Sequence, residues 1–242
     1  MEAHKVLFDP ESDSFTGFNE PFQGALDRAV RAQIQDVELL TLEPTDHLLF
    51  LILHAFKHFL HSGFGLRIVT DICLFTWRHG DRVDFSRIHE ICAQLRCDAF
   101  VAAVYRIGER FFDLPIPEQF VMKNLDIGPI LADILASGLH GAEIDRLHSA
   151  NITLRAVSDR NQGRVPAASG LRATVFPSAE KLSGRYPYLQ KRPWLLPVAW
   201  VSRLGSYFRT RRQYGEQNPV ESLRIGKERV ELLREYNIIP KE

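Results

Sequence analysis

Apolar residues recur at helical spacing through most of the chain, and strand-like patterns are confined to its first part. Residues 45–61 are apolar almost all the way round, Ser62-Gly63-Phe64-Gly65 supplies a turn, and Leu66 to Arg78 follows with a second helical pattern. Thr45 is the predicted N-cap of the first helix. The pattern therefore predicts an antiparallel helical hairpin.

Other helices are predicted wherever a capping residue or proline precedes apolar positions of helical period. Asp84 and Asp98 are each expected to cap one. Four more are predicted over Pro21 to Ile34, Ile127 to Ala136, Leu195 to Gln213 and Pro219 to Tyr236, and strands over Glu2 to Phe8 and Val37 to Leu42. The predicted fold class is mainly α, a multi-helix bundle with one or two N-terminal β-strands.

Composition narrows the possible functions. The 242 residues carry 30 Lys plus Arg and 30 Asp plus Glu, so no overall charge favours nucleic acid or anionic lipid. Cys73, Cys92 and Cys97 have no metal-knuckle spacing, and the N-terminus lacks a signal-peptide pattern. No apolar run approaches the roughly 20 residues of a transmembrane segment. These features predict a cytoplasmic protein with reduced thiols and no strong nucleic-acid signal.

Five polar residues of the first hairpin helix fall on one side of it: His47, His54, Lys57, His58 and His61. At about 100° per residue they occupy roughly a third of the circumference. Imidazoles and one ammonium suit the wall of a pocket that receives an anion, although an ordinary exposed helix face has the same spacing. We call these five residues the His/Lys stripe.

The second hairpin helix places Arg67 and Asp71 on one face, level with Lys57 if the helices are antiparallel. Arg precedes Asp by four residues, the less favourable order for a pair within a helix. Asp71 is therefore predicted to pair with Lys57. A lysine held beside an arginine would present two cationic donors to a phosphate chain. A plain salt bridge within the hairpin is the alternative.

The sequence His54-Ala55-Phe56-Lys57-His58, a glycine turn and then Leu66-Arg67-Ile68-Val69-Thr70-Asp71-Ile72 resembles the helical region of the uncharacterised nucleotidyltransferase family, relatives of the DNA polymerase beta type superfamily. Asp84-Phe85 and Leu196-Pro197-Val198-Ala199-Trp200 agree with it, so the resemblance covers nearly the whole chain. It implies a nucleoside triphosphate substrate, an unknown acceptor and Mg²⁺. The nucleotide-binding candidates are His54, Lys57, His58, Arg67 and Asp71.

The catalytic motif of that superfamily, a Gly-Ser turn followed by Asp-x-Asp or Asp-x-Glu, does not occur in this sequence. Two Mg²⁺ ions need such paired carboxylates. By resemblance, Glu2 corresponds to the third carboxylate, a candidate catalytic residue and metal ligand. The chain thus looks like a nucleotidyltransferase cut off before its last catalytic strand, and would be α+β with the missing core. We expect it to be inactive alone, with a partner or upstream segment covering its N-terminal strand.

The predicted organisation follows from these features. Residues 1–43 would be the remnant of the nucleotidyltransferase core with its linking helix, and residues 44–157 the helical domain with the hairpin. Residues 158–170 are rich in Ser, Asn, Gly and Pro and are predicted to be a linker. Residues 171–242 would form a C-terminal helical region.

Two other functions agree with parts of the sequence. One is a helical protein-interaction or membrane-surface module without catalysis, built on a helix with Trp194, Trp200, Tyr207 and the basic cluster Arg209, Arg211 and Arg212. The other is a zinc site, with His54 and His58 at i,i+4 and His61 or Asp71 as a third ligand. No His-Glu-x-x-His motif supports catalysis by such a zinc ion.

Overall fold

The computed structural model describes residues 7–10, 12–137, 144–163, 179–182, 186–202 and 219–240. Within these ranges the chain is mainly helical and contains one two-stranded antiparallel sheet. The predicted fold class is therefore confirmed. None of the helices in the described ranges is both long enough and apolar enough to cross a membrane.

The helices of the first two thirds are α1 (Pro44–His61), α2 (Leu66–His79), α3 (Phe85–Gln94), α4 (Asp98–Phe112), α5 (Gly128–Ala136) and α6 (Ile144–Asn161). Two single-turn helices follow, α7 (Ala179–Leu182) and α8 (Tyr188–Lys191), and residues 196–202 are also helical. The last helix is α9 (Pro219–Glu235). Short 3₁₀ turns lie at Asp13–Phe15, Glu20–Phe22, Gly80–Arg82, Glu118–Phe120 and Pro193–Leu195.

The two strands form a hairpin just before α1. Strand β1 (Val30–Ile34) pairs with β2 (Val37–Thr41), with Ile34 opposite Val37 and Val30 opposite Thr41. Gln35 in the two-residue turn has φ 54°, the left-handed conformation that tight hairpin turns require. The second predicted strand is thus confirmed over most of its length.

The helix predicted over Pro21 to Ile34 is wrong. The segment contains a 3₁₀ turn, then Gly24 at φ 70°, then β1. The apolar residues at helical spacing do not form one buried helix face: Ala25 is buried, whereas Leu26 is 87% exposed. Val30 and Ile34 are β-branched and pair with a neighbouring strand instead.

The predicted first strand also needs correction where the structure describes it. Leu7 and Phe8 lie in a bend, and residues 1–6, including Glu2, are outside the described residues. Phe8 is held by Asn19, whose side chain accepts from the Phe8 N–H at 3.0 Å and donates to the Phe8 carbonyl at 2.9 Å. These two bonds replace those of a strand ladder and direct the Phe8 ring into the core.

The helix boundaries agree with the sequence more closely than the capping residues do. The N-cap of α1 is Glu43, not Thr45, because the Glu43 carboxylate accepts from the amides of Thr45 and Asp46 at 2.9 Å each. Asp84 caps α3 as predicted, accepting from the Arg87 amide at 2.9 Å. Asp98 is instead the first residue of α4.

Helix α1 lies at the centre of the core. Phe56 and Phe59 contact Phe100 of α4 with ring centroids 5.2 and 4.9 Å apart. Thr153 of α6 donates to the Leu60 carbonyl at 2.8 Å. Arg229 of α9 donates to the Phe59 carbonyl. Because α1 is packed on these sides, only its remaining face is available to a ligand.

The predicted domain boundaries stay a prediction. Helix α6 continues to Asn161, four residues into the proposed linker, and residues 164–178 lie outside the described residues. Leu182, Leu189 and Ala199 form a small hydrophobic cluster of their own. Residues of α9 belong to the same core cluster as α1 and α4.

Candidate functional site

The His/Lys stripe is the partly exposed face of α1. All five of its residues are half-buried, whereas the other side chains between Leu48 and Leu60 are buried except for Phe50 and Leu51. The burial follows from sequence, because the opposite face of α1 is continuously apolar and packs on the core. The residues predicted to line a pocket thus occupy the side of α1 from which a ligand could approach.

A cavity of about 460 Å³ lies between the last half of α1 and the first two turns of α2. This volume falls in the range of small-molecule sites, about 300–1,000 Å³. Its lining includes four of the predicted site residues, His54, His58, Arg67 and Asp71. The remaining wall is apolar or glycine: Phe50, Leu51, Gly63, Phe64, Gly65, Ile68 and Ile72.

The α1–α2 turn shapes one end of this cavity. Gly63 has φ +94°, which a residue with a side chain adopts only with strain, so the tight turn requires glycine there. Gly65 is the N-cap of α2 and has no side-chain cap hydrogen bond. The first amides of α2 therefore have no capping side chain as an acceptor, and a helix N-terminus of this kind attracts anions.

The two histidines of the cavity contact each other directly. The Nε2 atoms of His54 and His58 are 3.1 Å apart and their ring centroids 4.6 Å apart. A hydrogen bond at this distance requires one ring to donate and the other to accept. The His54 ring also contacts the Phe50 ring, at 5.6 Å between centroids.

Both imidazoles are neutral near pH 7. Burial lowers the pKa of His58 to about 4, and the neighbouring His54, Lys57 and His61 add to the effect. Burial and Lys57 also lower the pKa of His54. The rings therefore serve the cavity as neutral donors and acceptors rather than as cations.

The permanent positive charge at the cavity comes from Arg67. Its side chain is 85% exposed, and its Nε lies 3.8 Å from Oδ2 of Asp71, which is 51% exposed. An exposed pair of this kind contributes little to stability, so a ligand can displace it at low cost. The guanidinium is available to an anion entering the cavity.

The predicted pairing of Lys57 with Asp71 is not formed. Asp71 pairs with Arg67, and Lys57 is not among the residues that line the cavity. Lys57 lies instead where its charge lowers the pKa of His54, His58 and His61. Helical spacing placed the two residues at one level of the hairpin, but it did not determine the direction in which each side chain points.

The apolar wall was not identified from sequence. Ile68 and Ile72 are one turn apart on α2, and Ile68 follows Arg67 while Ile72 follows Asp71. The i,i+4 relation that grouped Arg67 with Asp71 also groups the two isoleucines. These two of the seven apolar or glycine residues of the wall could have been found from this signal.

Metal ligands are not assembled as the sequence predicted. Among the described residues, no three His, Cys, Asp or Glu side chains come close enough together to hold a metal ion. The three-ligand zinc site with His61 or Asp71 is therefore not formed, and Glu2 lies outside the described residues. The side chains that the structure describes do not fit the Mg²⁺ pair of the superfamily.

The helix proposed for partner or membrane contact is only partly described. Trp194, Val198 and Val201 are 71%, 56% and 70% exposed, and their spacing places them on one side of the helical residues 193–202. Trp200 is half-buried against the small hydrophobic cluster. Tyr207, Arg209, Arg211 and Arg212 lie outside the described residues.

Comparison with known proteins gives one match. Residues 1–113 match the model of a family described as uncharacterised nucleotidyltransferase. No curated protein and no solved structure matches the chain. The matched residues include β1, β2, α1 to α4 and the whole cavity, and the resemblance noted in the sequence is confirmed over this part of the chain.

Proposed function

We propose that this chain, whose residues 1–113 match the uncharacterised nucleotidyltransferase family, binds a nucleoside triphosphate in the cavity between α1 and α2. The observation that carries the proposal is the convergence of His54, His58, Arg67 and Asp71 on one cavity inside the matched region. Four of the five predicted nucleotide-binding residues thus lie together, although they come from two helices.

Each part of the cavity has a role in this proposal. Arg67 donates to the phosphate oxygens through its planar fork, and the capless N-terminus of α2 supplies further N–H donors. A neutral imidazole carries one N–H, so while the Nε2 contact between His54 and His58 persists, only the ring that accepts in it has an N–H to donate to the ligand, and it does so without adding charge. Asp71 holds the Arg67 guanidinium until the phosphate replaces it.

The reaction proposed for the family member as a whole is transfer of a nucleotidyl group from the triphosphate to an acceptor that we do not name. We propose that this chain does not perform the transfer alone, because its sequence lacks a Gly-Ser turn followed by Asp-x-Asp or Asp-x-Glu. Metal charge and positioning supply most of the catalysis in such reactions. Incubation with Mg²⁺ and labelled triphosphates should leave the chain and added acceptors unlabelled, and chelator-sensitive labelling would overturn this point.

Binding is tested by titration calorimetry with ATP and, separately, with tripolyphosphate. Arg67→Ala should weaken binding of both at least tenfold, because a hydrogen bond to a charged group contributes about 1.5–3 kcal/mol. Arg78→Ala, which removes an exposed arginine at the far end of α2, is the matched control and should leave the affinity within twofold. Lys57→Ala should have an effect between these two. Equal affinities of the wild type and of Arg67→Ala for both ligands would exclude the cavity as the triphosphate-binding site.

A second function has one observation in its favour, the exposed stripe of Trp194, Val198 and Val201. An interfacial helix places tryptophan and aliphatic side chains at a lipid surface. On this alternative, the protein should co-sediment with vesicles of anionic phospholipid, and Trp194→Ser should abolish the co-sedimentation. Recovery of all the protein in the supernatant would rule out the membrane-surface function.

A further inference from the structure

The strongest unexplained feature of the cavity is the contact between two ring nitrogens. The Nε2 atoms of His54 and His58 face each other at 3.1 Å, one helical turn apart on α1. Imidazole nitrogens bind zinc at about 2.0–2.1 Å, so one ion equidistant from both would make an N–metal–N angle of about 100°. This angle is close to that of a tetrahedral or an octahedral metal site, and neither ring needs to move far.

We propose that His54 and His58 form a two-histidine clamp for a divalent transition-metal ion such as Zn²⁺, open to the cavity on its other coordination positions. This site differs from the three-ligand zinc site considered from the sequence, because His54 and His58 are its only protein ligands. Water fills the open positions in the absence of a ligand. The clamp is inferred from the geometry of the two rings and does not require a bound nucleotide.

The surroundings of the two rings favour a metal of this class. Each ring is half-buried in the wall of a cavity of about 460 Å³, which leaves room for the ion and its water molecules. Imidazole suits Zn²⁺, Cu²⁺ and Ni²⁺, whereas Mg²⁺ prefers oxygen ligands.

The helix fixes the pair in advance. Residues 54 and 58 lie in the second half of α1, on its partly exposed face, and other faces of this helix pack against α4, α6 and α9. The i,i+4 spacing places both side chains on one face, and this is the arrangement by which two histidines of a helix bind one metal ion. Little conformational entropy is therefore lost when the ion binds.

A competing explanation is a plain N–H···N hydrogen bond between the two neutral rings, which has the same separation. The two explanations differ in what Zn²⁺ does. A metal clamp binds one ion per chain through both rings, whereas a hydrogen-bonded pair without metal affinity binds none at this position.

The experiment is calorimetric titration of the full chain with Zn²⁺ alone, without nucleotide, with parallel titrations of His54→Gln and His58→Gln. We expect each variant to lose the tightest site or to bind it at least tenfold more weakly. The matched control is His47→Gln, which changes another stripe histidine on the same helix, one that contacts Phe75 and not the cavity. It should leave the affinity within twofold.

Excess Mg²⁺ should not displace the bound Zn²⁺, and Co²⁺ bound at the same position should lose its visible absorption in both cavity variants. Far-UV circular dichroism verifies that each variant is folded. If one variant does not fold, the Zn²⁺ affinity of the other is sufficient to test the clamp. Zn²⁺ affinity unchanged in a folded His54→Gln or His58→Gln protein, or no Zn²⁺ binding by the wild type, would overturn the clamp. Because nucleotide is absent, neither outcome depends on the proposed triphosphate site.

Discussion

The ion pair between Asp133 and Arg229 is the interaction whose loss should destabilise the fold most clearly. The two side chains are 6% and 4% exposed, and they join α5 to α9. Arg229 also donates to the Phe59 carbonyl and lies over the Phe59 ring, with Cζ 5.8 Å from its centroid. The guanidinium therefore connects α9 to the central helix of the core.

Asp133→Ala removes the carboxylate and leaves the arginine in a buried position. Removing one partner of a buried ion pair costs about 3–5 kcal/mol of unfolding free energy. For a chain of this size, about 3 kcal/mol corresponds to a fall in Tm of about 6–12 °C. The matched control is Glu228→Ala on α9, whose partner Arg224 is 57% exposed, and it should change stability by less than about 1 kcal/mol.

Urea unfolding followed by circular dichroism gives both free energies. The double variant Asp133→Leu with Arg229→Met should recover much of the loss, because apolar residues of similar volume often replace a buried pair without cost. A loss below about 1 kcal/mol for Asp133→Ala, at an unchanged m value, would refute the reasoning. It would mean that α9 contributes little to the core around α1.

Three smaller predictions follow from other contacts. A Cβ on Gly108 would lie 2.4 Å from the Cys73 sulfur, so Gly108→Ala should destabilise by about 1–3 kcal/mol in urea unfolding, and adding Cys73→Ala should reduce that loss. The pKa of His58 falls from 6.5 to about 4, so the unfolded chain binds more protons in this interval and stability should fall as the pH is lowered through it. His58→Gln should flatten this part of the profile, and an equally steep profile would contradict the assignment. Glu43→Ala should cost about 1 kcal/mol by removing the α1 cap, whereas Glu90→Ala, an exposed mid-helix change, should cost less.

The α1–α2 hairpin could be predicted because its signals are local. Two apolar stretches of helical period meet at a turn that needs glycine, and a shared helix face follows from spacing alone. His54 and His58 are one turn apart on one helix, and Arg67 and Asp71 on the next, so each pair could be identified from sequence. Their convergence on one cavity required only that the helices be antiparallel.

Other features depend on information that spacing does not contain. Lys57 shares the stripe yet does not line the cavity, because the orientation of a long side chain depends on the neighbours it meets. The error over Pro21 to Ile34 has a similar origin, because strand pairing, such as that of Val30 with Thr41, formed instead of the helix, and Leu26 of the apolar pattern is exposed. The packing of α9 on the core depends on contacts between residues far apart in sequence, such as Phe59 and Arg229, and local spacing does not predict such contacts.

The central claim is that a nucleoside triphosphate binds between α1 and α2, and amide hydrogen exchange with and without ATP tests it most directly. The account predicts slower exchange in peptides covering residues 50–58 and 62–72, no change in peptides from α9, and loss of the protection in Arg67→Ala. Peptides from α9 are the internal control, because no residue of that helix lines the cavity. Protection that appears only elsewhere, or none at ATP concentrations that saturate the calorimetric signal, would contradict the account.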